Sequence, residues 1–456
     1  MKARPGISLN SFVSEEVFYK AVMTLVISMP VVEFFTEILS RYTDIFPCFF
    51  QPLILSLFGV LGTMLVVIYR FTAKAQKRVF RYADLFYFTL LFFMIISAVF
   101  SQNPGLYSSG DFNRCENPLH FLAYFWLFFS GSLIDRWEYR KNILLSFLAV
   151  SLLEGVFAFL QTFNIELSYS YLYRADRAAY GLTQNSNYYG CLAAIFVACV
   201  SGLYIFADSV ISSKVLRSIL PAIAAFLFYT MLGSRARLAW VGFASLMVFY
   251  VISLIIMCRR SDDKTVIRSA VRRSLILLGV FAVIFLIAFF FTDYIREVTV
   301  RSYWEVANGK PEMVGSRRVY IWKTGLGAVP EYWLTGVGLD NFKYVFEYKG
   351  IFHEEMFIKD KAHNEYIQFL VTQGIPAFVN YLALLIYTAV GAVRNILKEA
   401  SAEKRAVTWI LLGMFVTYAT AAFFNNSIVY VALYFWLVIG LIIPRDPVRT
   451  KKAGAR

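Results

Sequence analysis

Charge is scarce in this chain. Of 456 residues 59% are hydrophobic, 18% aromatic and only 16% charged, and the mean hydropathy is +0.60. So little polar surface excludes a soluble globule and leaves a polytopic membrane protein. Histidine is rarer still: His120, His353 and His363 are all there is, with no His-Glu-x-x-His spacing, so no metal centre is expected. The five cysteines form no disulfide framework, because Cys191, Cys199 and Cys258 lie in apolar runs where a thiol is a small hydrophobe. Cys48 and Cys115 fall in or beside loops on one side of the membrane and would pair if that side is oxidising. Also missing are a nucleotide-binding fingerprint, a sequence repeat, a low-complexity segment and a small-residue cleavage site before Glu33, so no removed signal peptide is expected. The net charge of +14 would suit nucleic acid, but the basic residues sit in short clusters between apolar runs. Cytoplasmic loops of membrane proteins look like this, and no nucleic-acid partner is expected.

What is there in abundance is long apolar runs. Crossing about 30 Å of hydrocarbon takes about 20 helical residues. Twelve runs meet that need, near 18–38, 49–69, 83–100, 118–134, 143–161, 187–207, 217–233, 238–257, 274–292, 366–392, 406–424 and 428–443. The run from 217 to 257 is broken at Gly233-Ser234-Arg235-Ala236-Arg237, since each arginine at a bilayer centre would cost about 2.5–3.5 kcal/mol. Basic residues follow the even-numbered helices, as in Arg70 to Arg81, Arg136 to Lys141, Arg259 to Arg273 and Arg394 to Arg405. With the basic tail from Arg445, they put those loops and both termini in the cytoplasm. The fold expected is an all-α polytopic membrane protein of about 12 transmembrane helices with one long extracytoplasmic loop domain. It divides into residues 1–292 with nine helices, the loop 293–365, residues 366–443 with three helices, and the tail 444–456.

The long polar passage from Pro311 to Pro376 carries the chemistry. Ser316 is placed to cap a helix whose Val319, Ile321, Trp322 and Leu326 make an apolar side, lying along the membrane surface with Trp322 at headgroup level. His363 and Asn364 immediately precede a long apolar helix; Asn364 is a natural cap, and the histidine is either part of that cap or wet enough to titrate. Three arginine clusters share this side: Arg174 and Arg177, Arg235 and Arg237, Arg317 and Arg318. Arginine forks bind phosphate oxygens, although snorkelling toward headgroups is the plainer reading of any one of them. Glu33 and Glu154, inside apolar runs, are either protonated there or paired with one of these arginines.

An outer anion site with one histidine fits a transferase whose donor is a lipid-linked diphosphate sugar. The diphosphate leaving group needs cationic stabilisation, and the acceptor hydroxyl needs its proton removed. With no Asp-x-Asp pair on this side, a metal-independent route is favoured.

Gly315-Ser316-Arg317, Trp322, the Pro330 to Gly338 turn, and His363-Asn364 followed by Gly374-Ile375-Pro376 resemble the shared loop region of O-antigen ligases and related Wzy-type polysaccharide polymerases. The Gly233-Ser234-Arg235 turn and the Asn185-Ser186-Asn187 helix opening match at comparable points, and Ala377 departs from the glycine common there. The resemblance implies a GT-C-like membrane glycosyltransferase using an undecaprenyl-diphosphate glycan, with inversion at the anomeric carbon and no cofactor. It implies a lipid or glycan acceptor, a bacterial cytoplasmic membrane, and an extracytoplasmic site. His363 would be the catalytic base or acceptor-orienting group, and Arg235 and Arg317 the diphosphate ligands, with Arg174, Arg177 and Arg237 near them. Asn364, Trp322 and Ser316 would support. The alternatives are a polymerase of the same family and, from another class, a twelve-helix anion transporter.

Overall fold

The computed structural model describes residues 14–40, 50–71, 80–103, 117–165, 178–183, 185–260, 264–307, 314–348 and 360–447. Every apolar run expected to form a helix does so. The long elements are α1 (Glu15–Ser40), α2 (Phe50–Phe71), α3 (Tyr82–Val99), α4 (Pro118–Leu133), α5 (Trp137–Thr162), α6 (Ser186–Ile205), α8 (Lys214–Gly233), α9 (Arg237–Arg260) and α10 (Lys264–Phe291), with the short α7 (Ala207–Val210) after α6. Then come α14 (Glu365–Lys398), α15 (Ala402–Ala421) and α16 (Val429–Ile442). Ten are long and apolar enough to cross a membrane, while α4 and α16 are shorter apolar helices, and no strand is formed among the described residues. The protein is an all-α polytopic membrane protein.

Position in the bundle follows composition. α6 is built from Gly, Ala, Ser and Cys among its large residues, and 94% of its membrane window is buried. Small side chains let neighbouring backbones approach, which is how helices associate where lipid is as apolar as leucine. α16, mean residue type the most apolar of all, is buried along its whole length against α4, with Trp436 packed edge-on to Phe125. α2, α9 and α10 ring the outside and expose residues such as Leu61, Val248 and Phe290 toward the surrounding medium.

The two ends of the bundle differ in charge. One end gathers Arg70 with Asp84, Arg217 and Arg273 on Asp208, and Arg445 on Asp135. Several helices run further into this end than hydropathy indicated: α10 begins at Lys264 and α14 continues to Lys398. Lysine and arginine are good helix formers, so the helices continue through the basic residues beyond the apolar core. The opposite end carries the segment between α10 and α14, which holds three helices of its own: α11 (Asp293–Ala307), α12 (Val314–Leu326) and α13 (Tyr344–Tyr348). Ile321, Val337, Phe342, Val345, Phe346 and Val371 form a small separate core there.

The cap expected at Ser316 falls on a side chain outside the described residues; α12 is assigned from Val314, with Arg317 left-handed at φ 65 in its first turn. The expected apolar side of α12 divides. Ile321 is fully buried and Trp322 packs on the loop core, whereas Val319 and Leu326 are exposed. The helix packs on its own loop domain as well as on the bundle, which splits the stripe. Cys48 and Cys115 lie outside the described residues.

Candidate active site

The loop domain is locked to the bundle by a break in α14. Gly374 has φ 86 and ψ 172, outside any helical region, and Pro376 follows it. Pro376 has no N–H to return to Thr372, and the N–H of Ile375 turns away to the carbonyl of Trp333 at 2.7 Å. The carbonyls of Val371 and Thr372 are thus left to other donors. They accept from Val337 N and Gly338 N, each at 3.0 Å, and Ser97 Oγ adds a bond to Thr372 O at 2.8 Å. The glycine turn and the Gly-Ile-Pro motif, 38 residues apart by their first glycines Gly336 and Gly374, are one interlocked structure. Gly336, at φ 68, is required because a side chain there would overlap the backbone of Thr372 and Gln373.

Before α14 the chain passes through a buried ion pair. Lys361 Nζ meets Asp340 Oδ1 at 2.5 Å with both side chains 1% exposed. Ala362 N then donates to Gln368 Oε1 at 2.9 Å, and Trp322 Nε1 donates to Ala362 O at 2.9 Å. His363 follows, half-buried, with φ 50. Asn364 is the cap expected of it: its Oδ1 accepts from Ile367 N at 3.1 Å. His363 is therefore not the capping residue, and its ring faces the turn between α15 and α16. Nδ1 lies 3.5 Å from Nδ2 of the buried Asn426.

That turn, the 3-10 segment Ala422–Phe424 with Asn425, Asn426 and Ser427, is where the parts converge. Arg318 Nη1 donates to Phe424 O at 2.9 Å. Arg318 is held below the ordinary arginine range by burial first and then by the nearby Arg237 guanidinium, so the loop arginines and the α8–α9 turn share one electrostatic neighbourhood. Gly190 of α6 packs against Ser234 and Ala236 of the α8–α9 turn. Gly233 O accepts from Ala179 N at 2.9 Å, tying in the buried segment 178–183. Arg235 and Arg237 are half-buried in this turn, while Arg317 is exposed beside Arg318. Arg174 and Arg177, just before the 178–183 segment, lie outside the described residues.

Backbone strain marks the same residues. Among the described residues, five non-glycine positions have positive φ, and three are Arg235 (58), Arg317 (65) and His363 (50). A bulky residue held left-handed costs of order 1–3 kcal/mol and persists only where its surroundings fix it. Here the surroundings aim two cationic side chains and an imidazole from three different elements.

Inside the bundle Glu33 and Glu154 are both buried and adjacent, and Glu154 Oε2 accepts from Leu182 N at 2.9 Å. Gln161 grips the same segment through Tyr180 N, Gly181 N and Gly181 O. Glu365, beside the cap of α14, is buried and accepts from Tyr381 Oη at 2.6 Å and Tyr418 Oη at 2.5 Å. Of the other histidines, His120 is a buried partner of Ser56 and Asn117, and His353 lies outside the described residues. Asn426 and Glu365 were not singled out from sequence as site residues, and Arg318 was named only as Arg317's neighbour in an arginine cluster. The Asn425-Asn426-Ser427 triplet between two apolar helices was the available signal, since it repeats the Asn185-Ser186-Asn187 pattern on the same end.

A many-helix membrane protein with a cationic, histidine-bearing site under a docked loop domain is the class these features define. Within it, residues 222–382 match the family described as O-antigen ligase. The match takes in the arginine turn, the loop helices, His363 and the break in α14. Ten helices long and apolar enough to cross a membrane make the protein multi-pass. No curated protein matches the chain.

Proposed function

We propose that this protein is an O-antigen-ligase-like glycosyltransferase that moves a glycan from undecaprenyl diphosphate to an acceptor hydroxyl on the outer face of the cytoplasmic membrane. The carrying observation is the convergence of Arg318 and His363 on the turn between α15 and α16, with the Arg237 guanidinium close enough to Arg318 to act on its charge. Cations gathered at mutual cost call for an anion, and a diphosphate supplies one. The basic clusters at the far end of the bundle support a cytoplasmic position for that end and an outer position for the site.

In this reading Arg235 and Arg317 take the diphosphate, and Arg318 holds α12 on the turn so that the neighbouring exposed Arg317 can reach it. The acceptor oxygen attacks the anomeric carbon from the face opposite the diphosphate. The bond to the diphosphate oxygen breaks with its electron pair, the configuration inverts, and a ring nitrogen of His363 receives the acceptor proton. The cationic charge needed by the leaving group comes from arginine, so the step is proposed to run without a metal. A polymerase of this family would use the same site with a second lipid-linked repeat unit as acceptor.

The test is transfer by the purified protein from an undecaprenyl-diphosphate oligosaccharide to a lipid acceptor, with EDTA present. His363→Ala should lower the rate about 10²–10⁴-fold. Unchanged transfer in folded His363→Ala would sink the assigned role, and elongated lipid-linked product in place of glycosylated acceptor would favour the polymerase.

A further inference from the structure

At the basic end, far from His363, two cavities meet. One, of about 490 Å³, lies among the α4–α5 turn, the end of α14, the start of α15 and Arg445. Its cations are Arg140, Lys398, Lys404 and Arg445, against Asp135 and Glu399. The other, of about 1140 Å³, is a groove between α3 and α14 with Leu85, Phe86, Ile386 and Val390 along its walls. Asn395 and Lys398 line both, so the polar cavity opens into the apolar groove. Arg394 stands in the groove at the same level.

The local partners leave charge over. Asp135 is occupied by Arg445 at 2.7 Å, and Glu399 accepts from Ser401 N at 2.9 Å. Among the described residues Arg394, Lys398 and Lys404 make no ion pair, and Arg140 reaches Asp135 only at 4.0 Å. The groove walls face outward from the bundle: Ile386 is 62% exposed and Val390 44%. An apolar furrow on the lipid-facing side, ending in a cationic hollow one or two helical turns past the last aliphatic residue, has the outline of a lipid with an anionic headgroup.

We propose that these cavities form one binding site for an anionic glycerophospholipid. Its phosphate sits among Lys398, Arg140 and Lys404, and one acyl chain lies between α3 and α14 against Ile386 and Val390. The chain clears Phe86, and Arg394 meets the glycerol-phosphate edge of the headgroup. The site is on the helix whose other end is capped by Asn364, so an occupied site braces α14 from below its break at Gly374. The inference needs only that the bundle spans a membrane, and holds whether or not the transferase reading does.

Native mass spectrometry of the purified full-length protein tests it, with phosphatidylglycerol and phosphatidylcholine of identical chains offered at equal concentration. Retained adducts should favour phosphatidylglycerol, by about five-fold for each contributing cation. Lys398→Gln with Lys404→Gln should remove the preference, and Val390→Trp, at an outward-facing position, should lower retention of both lipids. Equal retention of the two lipids by the wild type overturns the proposal without any variant. A preference unchanged in all the variants overturns it too, and displacement of the lipid by millimolar inorganic phosphate would reassign the hollow to a free anion.

Discussion

Trp322 Nε1 donates to the carbonyl of Ala362 at 2.9 Å, so the helix that carries Arg317 and Arg318 is bonded directly to the residue before His363. The arginine and histidine elements are separated by some 45 residues of chain between positions 318 and 363, yet they are positioned against each other by one indole N–H. The indole ring also approaches Phe424, whose carbonyl receives Arg318.

Trp322→Phe keeps the ring and deletes the donor. Loss of one such bond is worth about 1 kcal/mol, so transfer should fall about five-fold in kcat/KM while the protein remains folded. An unaltered kcat/KM in the Phe variant would show that the indole only fills space.

Gly336→Ala should release the loop domain from α14. The new methyl group meets the Thr372 backbone, and the left-handed backbone adds about 1–2 kcal/mol. Limited proteolysis should then cut near residues 330–338, which the wild type protects through the Val337 and Gly338 bonds. Equal protection in the variant would mean that the turn docks by other contacts.

That interlock shows where sequence reading succeeds and where it stops. The helices of the bundle are legible because each must supply its own long apolar run, and an arginine pair inside one run forces a break. Asn364 is legible as a cap because capping is local. The pairing of Gly336-Val337-Gly338 with Gly374-Ile375-Pro376 is visible only as two separate motifs, since nothing local says that one supplies the donors for the other's carbonyls. Arg317 and Arg318 are legible as a pair but not in their separate roles: adjacent residues on one element point apart, and only the packing of α12 on Phe424 decides which is held and which is exposed.

Lys361→Met should destabilise the loop domain strongly. Its partner Asp340 is 1% exposed, and a buried charge left without its partner costs about 3–5 kcal/mol. Adding Asp340→Asn removes the orphaned charge and suits the left-handed backbone at 340, where φ is 59. Thermal unfolding in detergent should show a lowered Tm for the single variant and recovery of most of the loss in the double variant. A double variant no better than the single one would mean that the pair acts through its bonding geometry.

Arg318→Lys should give the reaction an alkaline limb that the wild type lacks. Burial and the Arg237 guanidinium both depress the cation at this position, and arginine begins high enough to stay charged. Lysine begins from about 10.4 and is pushed in the same direction, so its charge is present at neutral pH and lost as pH rises through the lowered value. Between about pH 7 and 10 transfer by the lysine variant should therefore decline while the wild type stays level. Replacing Arg237 with Gln in the lysine background removes the like charge and should move the decline back toward higher pH. A lysine variant with the wild-type profile would show that the charge at 318 is not felt at the reacting centre, and would leave Arg318 as an anchor on Phe424 alone.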